Sequence, residues 1–336
     1  MRLIDRPGRA VLAIGLCLLA AFVLSFAFGR YSVTPVQVAR ILIGRVVPLR
    51  RTWTPEMEAV VLRIRMPRIA MACLVGGCLA TAGAAYQGVF QNPMASPDTL
   101  GASSGAALGA ALAILWGCSA QWIALFAFAS GIATVAIVFF IAARAPGPRV
   151  TNLILAGIML GALLSAGISY VKLIADPTNQ LPQITYWLMG SLAGVRPGDA
   201  RALLPMAIGL VPLHLVRWRL NLLTLGDGQA HALGVRVNRL RLLVVACATV
   251  VTAASVSVGG VIGWVGLVIP HLCRKLVGSN YLHLLPASAL MGATFLLVVD
   301  GAARNLLAVE IPIGILTAVV GAPFFLYLLC RRERAL

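Results

Sequence analysis

Carboxylates are scarce in this chain. Its 336 residues hold 27 Lys and Arg against 10 Asp and Glu, and Asp5, Glu56, Glu58, Asp98, Asp176, Asp199, Asp227, Asp300, Glu310 and Glu333 all fall at or between the ends of apolar runs. A carrier driven by protons or sodium keeps an ionisable group or a broken-helix site near the bilayer midplane, where its desolvation cost is tolerated for coupling. The missing midspan carboxylate therefore disfavours that class. Recognisable catalytic and nucleotide motifs are missing too. No Gly-x-x-x-x-Gly-Lys-Ser/Thr loop is present to cradle phosphates, so any nucleotide energy must be handled by another polypeptide. His214, His231, His271 and His283 stand alone, without a His-Glu-x-x-His pair, and the 7 Cys include no Cys-x-x-Cys, so neither a metal site nor a disulfide framework is expected. Gly101-Ala-Ser-Ser-Gly105 matches the nucleophile-elbow pattern, but it opens an Ala-rich apolar helix instead of joining a strand to a helix, and close packing explains it better than a hydrolase acting through Ser103.

What the chain has in quantity is apolar surface. Hydrophobic residues make up 60% and charged residues 11%, which leaves too little polar surface to cover a water-soluble core of this size. The apolar residues gather in runs near 10–28, 68–86, 99–117, 121–143, 150–171, 201–216, 242–259, 260–270, 281–299 and 311–330. About twenty residues cross a hydrocarbon core of roughly 30 Å. An all-α, polytopic single domain spanning 1–336 is expected, with about ten membrane helices. The run at 260–270 is too short for a full crossing and reads as a half-crossing leaning on its neighbours. The N-terminal run exceeds a signal-peptide core and reads as a first span. Gly76, Gly77, Gly101, Gly105 and Gly109 would let helix backbones approach closely.

Net charge is +17, yet the basic residues occupy short loops between apolar runs, as a membrane topology requires, and do not form a nucleic-acid face. With both termini in the cytoplasm, the inner segments hold Arg2, Arg6, Arg9, Arg144, Arg149, Arg217, Arg219, Arg236, Arg239, Arg241, Arg274, Lys275, Arg331, Arg332 and Arg334, whereas the outer ones beyond the first loop hold Lys172, Arg196, Arg201 and Arg304. The first outer loop, 29–67, runs against the rule with Arg30, Arg40, Arg45, Arg50, Arg51, Arg63 and Arg65, followed by Arg68. Between the sixth and seventh runs lies a polar inner segment, 217–241, which reads as a short helix with Asp227 capping its start and Gly234 ending it in a left-handed conformation. A compact helix standing outside the bilayer is a docking element.

Several blocks in order resemble the permease subunit of ATP-binding-cassette importers that take up ferric siderophores, haem or cobalamin. They are Arg65-Met-Pro-Arg68, Gln91-Asn-Pro-Met-Ala-Ser-Pro97 with Leu100-Gly101, Trp187-Leu-Met-Gly-Ser191, Leu225 to Val235, Gly266-Leu-Val-Ile-Pro-His271 with Arg274, Leu285-Pro286, Asp300 with Arg304, Ile311-Pro-Ile-Gly314 and Gly321-Ala-Pro-Phe324. The resemblance spans nearly the whole chain. It implies a bacterial inner-membrane permease that works as a homodimer in lipid, with two cytoplasmic ATPase subunits that bind ATP and Mg, and a periplasmic or lipid-anchored binding protein. No cofactor is implied for this chain. It further implies that Leu225, Gly226, Ala230, Leu233 and Gly234 couple to the ATPase and that Arg65, Arg68 and Arg304 grip carboxylates of the binding protein. Val150 and Thr151 would form an inner gate, and Gly157, Gly161, Ser165, Thr317 and Gly321 would line a path of small residues. The gate segment 144–152 departs from the family's hydroxyl-rich pattern through Arg144, Pro146 and Pro148. Ferric siderophore is the first cargo expected, with haem and cobalamin close behind and an ion-coupled carrier as the rival class.

Overall fold

A computed structural model describes residues 7–330 apart from 28, 30, 46 and 48–50. Arg2, Arg6, Arg30, Arg50, Arg331, Arg332 and Arg334, which entered the charge argument, lie outside the described residues, as do Asp5 and Glu333. All regular structure among the described residues is helical. In chain order the α-helices are α1 (Pro7–Ala27), α2 (Pro35–Ile43), α3 (Pro55–Ala59), α4 (Met66–Phe90), α5 (Ala102–Leu115), α6 (Ala120–Arg144), α7 (Arg149–Ile174), α8 (Gln180–Leu188), α9 (Leu203–Leu215), α10 (Arg217–Leu223), α11 (Asp227–Ala232), α12 (Val237–Gly259), α13 (Val265–Val277), α14 (Tyr281–Asn305) and α15 (Ile313–Cys330). Helices α3 and α4 join through a π-helical stretch, Val60–Arg65. Pro67 explains it: the ring has no N–H and crowds the carbonyl four residues back, so the ladder widens and the Met66 N–H reaches Val61 O, five residues back. The expected loop 29–67 is thus partly helical, in α2 and from Pro55 onward.

Six helices are long and apolar enough to cross a bilayer, or up to seven if the bent pair ending in α9 and α10 is one span. They include Pro55–Phe90, of which 83% of the apolar window is buried, against 17% for α7. Helix α4 is therefore the central mast. Its glycines explain why. A methyl at Gly76 would overlap the Gly292 carbonyl of α14, one at Gly77 would stand 3.1 Å from Ala289 O, and one at Gly83 would overlap the Gly266 carbonyl of α13. Between lipid-immersed helices no hydrophobic drive brings backbones together, so small residues that permit dense van der Waals contact decide which helices meet. Several buried hydroxyls bond within their own helices, as Thr81 to Gly77 O (2.7 Å) and Thr252 to Ala248 O (2.8 Å) show.

The short helices α5 and α13 are about 20 Å long at 1.5 Å per residue. Both start beside the middle of α4: a Cβ at Gly266 would lie 2.9 Å from Pro97 Cδ, just ahead of α5, and 3.0 Å from Leu79 O. From there they diverge. Helix α5 runs to the end of the bundle where Leu115 O accepts from Gln180 Nε2 (2.9 Å), whereas α13 runs toward Tyr281 at the opposite end. The half-crossing expected at 260–270 corresponds to α13, displaced to Val265–Val277 because Gly260 (φ 68°) and Trp264 (φ 70°) break the chain before it. The polar helix α8, with Gln180 and Gln183, carries too little apolar signal to be read as an element from sequence.

If Gly83 sets the α4–α13 contact, Gly83→Val should cost about 3 kcal/mol or more. Gly301→Ala in α14, where a methyl meets nothing within 4 Å, should be neutral or slightly stabilising. Thermal unfolding of the two purified variants in one detergent checks the contrast.

Candidate functional site

Polar structure concentrates at the two ends of the bundle. The upper end is formed by the close of α1, the start of α4 and the close of α14. There Arg68 Nε donates to Asp300 Oδ1 (2.9 Å), and its two terminal nitrogens meet both oxygens of Glu310, Nη1 to Oε1 at 3.1 Å and Nη2 to Oε2 at 3.0 Å. Arg304 Nε lies 3.2 Å from Asp300 Oδ2, one turn away on the same helix. Arg65 donates to the carbonyl oxygens of Phe26 and Tyr31. The three arginines are 4%, 6% and 7% exposed, in the order Arg65, Arg68 and Arg304, and Asp300 is fully buried. A buried guanidinium demands this pairing, because a lone charge without water is costly and a planar fork matches a carboxylate with two bonds. Sequence places Arg65, Arg68 and Arg304 at this end, free to grip a partner's carboxylates. In the structure all three are nearly buried, with Arg68 on Asp300 and Glu310, Arg304 on Asp300, and Arg65 on backbone carbonyls. Glu310 was absent from the sequence-based set. Its only hint is the acid lying six residues past Arg304, and nothing local shows that it folds back onto α4.

At the lower end the chain leaves α9, bends at Val216 and runs across the bundle as α10, at 61° between the two helical pieces. Polar pins hold it: Gln91 Nε2 donates to Leu223 O (2.6 Å), Asn221 Nδ2 to Asn280 Oδ1 (2.9 Å), and Tyr281 N to Asn221 Oδ1 (2.9 Å). Helix α11 follows. Its N-cap is Gly226 (φ 99°), not Asp227. The Asp227 carboxylate instead accepts from Arg241 Nη2 at 2.7 Å, fastening α11 to α12. At the other end Gly234 (φ 78°) follows the last turn, and the Val235 N–H reaches Ala230 O at 3.0 Å, closing a Schellman motif. Ala230 is fully buried beneath the helix, while Leu225 and Leu233 are 49% and 61% exposed. The coupling set thus divides: Ala230 anchors, Gly226 and Gly234 shape, and Leu225 and Leu233 face outward.

The remaining expected residues sit as follows. Val150 is half-buried and Thr151 exposed in the first turn of α7, above a turn that Asn152 holds by donating to Ala145 O (3.0 Å) and Pro146 O (3.2 Å). Gly157 is buried where a methyl would overlap Thr99 O, and Gly161 is half-buried near Ser104. Thr317 is buried with its hydroxyl on Gly314 O (3.1 Å), and Gly321 packs on Trp264. Ser165 alone of these five is exposed, its hydroxyl on Gly161 O at 2.9 Å. Three of the five expected path residues, Gly157, Gly161 and Gly321, thus pack near the starts of α5 and α13, and the open face of α7 carries Ile158, Met159 and Leu163. Outside the spans, Asp176 accepts from Asn179 N (2.8 Å), and these backbone donors hold its carboxyl below the usual carboxylate range at the turn into α8.

This arrangement has known counterparts. The model of the FecCD transport family matches residues 17–331. The chain belongs to that family. FecCD relatives include the molybdate import system permease protein MolB of Haemophilus influenzae, 39% identical over 334 residues and covering 98% of each chain, and the Fe(3+)-citrate import system permease protein YfmE of Bacillus subtilis, 39% identical over 329 residues and covering 96% of this chain and 95% of the other. Among solved structures, an inward-facing one described as a metal-chelate type ABC transporter is 38% identical, covers 96% of this chain and 99% of that one, and superposes with a TM-score of 0.86. The chain is thus an ABC importer permease of the FecCD family, a multi-pass membrane protein.

Asp300→Asn leaves Arg68 and Arg304 without their shared buried counter-charge and should cost about 3–5 kcal/mol. Asp227→Asn, whose side chain is 56% exposed, should cost about 1 kcal/mol or less. Melting temperatures of the two variants in the same micelle test this ranking.

Proposed function

We propose that this permease carries a metal chelate, a ferric siderophore first, inward across the inner membrane of a bacterium. It crosses the membrane ten times with both termini in the cytoplasm, the upper end facing the periplasm. It works as a homodimer with two ATP-binding-cassette ATPases on the lower end, where ATP and Mg are bound, and a periplasmic or lipid-anchored binding protein on the upper end. In this reading α5, α13 and α15 are shortened crossings completed by neighbouring segments. The exposed faces of α7 and α15 meet the second copy and the path, with Ser165 on the α7 face.

The observation that carries the reading is α11. A six-residue helix fixed by a buried Ala230, an ion pair to α12 and left-handed glycines at both ends, yet presenting Leu225 and Leu233 to solvent, is built to receive a push. Force on it passes through Arg241 into α12 and through α10 into α9 and α14. ATP binding by the partner subunits would thereby shift the balance between inward-open and outward-open states, without covalent chemistry in this chain. Val150 and Thr151, at the same end, are positioned for the inner closure. Arg65, Arg68 and Arg304 form the positive cluster on which the binding protein docks.

A second reading of the cargo is an oxyanion. It is favoured by the full-length match to a permease named for molybdate. Calorimetry on the cognate secreted binding protein separates the two. The first reading expects tight binding of a ferric siderophore and none of molybdate.

Gly234→Val forces a β-branched residue into a left-handed conformation costing about 1–3 kcal/mol, which opens the Schellman turn. In proteoliposomes holding the full assembly, uptake should fall roughly tenfold while ATP hydrolysis persists. Unchanged uptake would contradict the coupling role.

A further inference from the structure

The two carboxylates of the upper cluster are held very differently. Asp300 is fully buried, paired with Arg68 of α4 and with Arg304 one turn along its own helix. The Glu310 side chain is 29% exposed and sits on a seven-residue connection, 306–312, whose Leu306, Leu307 and Val309 are 61%, 61% and 77% exposed. Contacts that tie this connection back to the core include the Leu306 N–H to Ala302 O at 3.0 Å, the Ile311 N–H to Ala303 O at 3.2 Å, and the Glu310 grip on the outer fork of Arg68. Immediately beyond it α15 begins, with Ile313 N donating to Gly190 O (2.9 Å) and Gly314 N to Met189 O (3.1 Å). The connection therefore joins a rigid charge cluster on α4 and α14 to the start of a different helix.

Charge in the cluster is unbalanced as well. Arg65, Arg68 and Arg304 bring three positive charges and Asp300 and Glu310 two negative ones. The Arg65 guanidinium meets neutral carbonyls. Segments with few buried contacts open at low cost. A half-exposed carboxylate in a bidentate fork can be replaced by another carboxylate with little net change in charge pairing.

We propose that Glu310 is an exchangeable latch that occupies Arg68 in the undocked permease. On docking, an acidic side chain of the soluble binding protein takes its place, and the freed 306–312 connection releases the start of α15. The inference rests on the docking role proposed above for the three arginines. It adds that the site is self-occupied beforehand and that occupancy is read out by α15. Docking is thereby made conditional on a partner carboxylate that displaces Glu310, and an apolar or basic surface gains nothing at this end.

The test uses the permease–ATPase assembly in nanodiscs and its cognate binding protein. Glu310→Gln, and Glu310→Ala as a second variant, remove the competitor and should tighten docking roughly three- to tenfold at low salt. Arg68→Lys keeps the charge but loses the fork and should weaken docking about tenfold. Hydrogen exchange supplies an independent reading: amides of 306–312 should become less protected when the binding protein docks on the wild type, and should already be less protected in undocked Glu310→Gln. Weaker docking in Arg68→Lys together with unchanged affinity and unchanged exchange in both Glu310 variants would overturn the latch and leave the docking role standing. Docking unaffected by all three substitutions would overturn the docking role and the latch with it.

Discussion

Everything in this molecule hangs on how closely other helices approach α4. In hydrocarbon the backbone must satisfy itself, so each span is a closed cylinder and association depends on dense packing alone. Gly76, Gly77 and Gly83 bring α14 and α13 to backbone distance, and no larger residue can stand at Gly83 without driving the Gly266 carbonyl away. Because α13 begins opposite the middle of α4, its short length is tolerated. In the segment before it Gly260 and Trp264 take left-handed conformations, and Gly260 packs against Trp187 O and Gly190. Helix α5 likewise starts beside Pro97 on the other side of that junction. Two half-length helices of opposite direction meet at the centre, their starts overlaid by a glycine of a longer helix, Gly157 of α7 and Gly321 of α15.

Charge is sorted to either side of that centre. The upper end is a nearly buried cluster in which Asp300, shared by Arg68 and Arg304, and Glu310, on Arg68, hold guanidiniums on α4 and α14, and the lower end is an exposed elbow where α10 and α11 are pinned by amides and the half-exposed Asp227–Arg241 pair. A buried pair fixes geometry and adds little net stability, so the Arg68–Asp300 pair holds α4 and α14 in register. A pinned but solvated elbow can accept a push from outside and pass it to α9, α12 and α14. FecCD-family membership and the close superposition on a metal-chelate type transporter are consistent with this division of labour between the ends.

Much of the fold was readable without coordinates, for particular reasons. Long apolar runs such as 121–143 and 281–299 mark α6 and α14, because a bilayer-length stretch has few other solutions. The αL glycine at 234 was legible, since a helix that must stop in a polar loop needs one. The Asp227 cap was misread: Gly226 already supplies the cap, and the carboxylate finds Arg241, fourteen residues on, which no local pattern reveals. The small residues of α7 and α15 read as a smooth path, yet smallness also signals close approach, and here Gly157 meets the Thr99–Leu100 backbone ahead of α5 and Gly321 the Trp264 ring ahead of α13. Glu310 was invisible for a similar reason, because its partner lies 242 residues away. Helix α8 was missed because amphipathic surface helices of nine residues carry little signal beside bilayer spans.

The central claim is that this chain is a conduit moved from its lower elbow by a separate ATP-driven engine. Solute accumulation in sealed proteoliposomes measures it most directly. With the chain alone under an imposed proton or sodium gradient, no cargo should concentrate inside. With the ATPase subunits, ATP and the binding protein added, it should. Uphill accumulation by the chain alone, driven only by an ion gradient, would contradict the account.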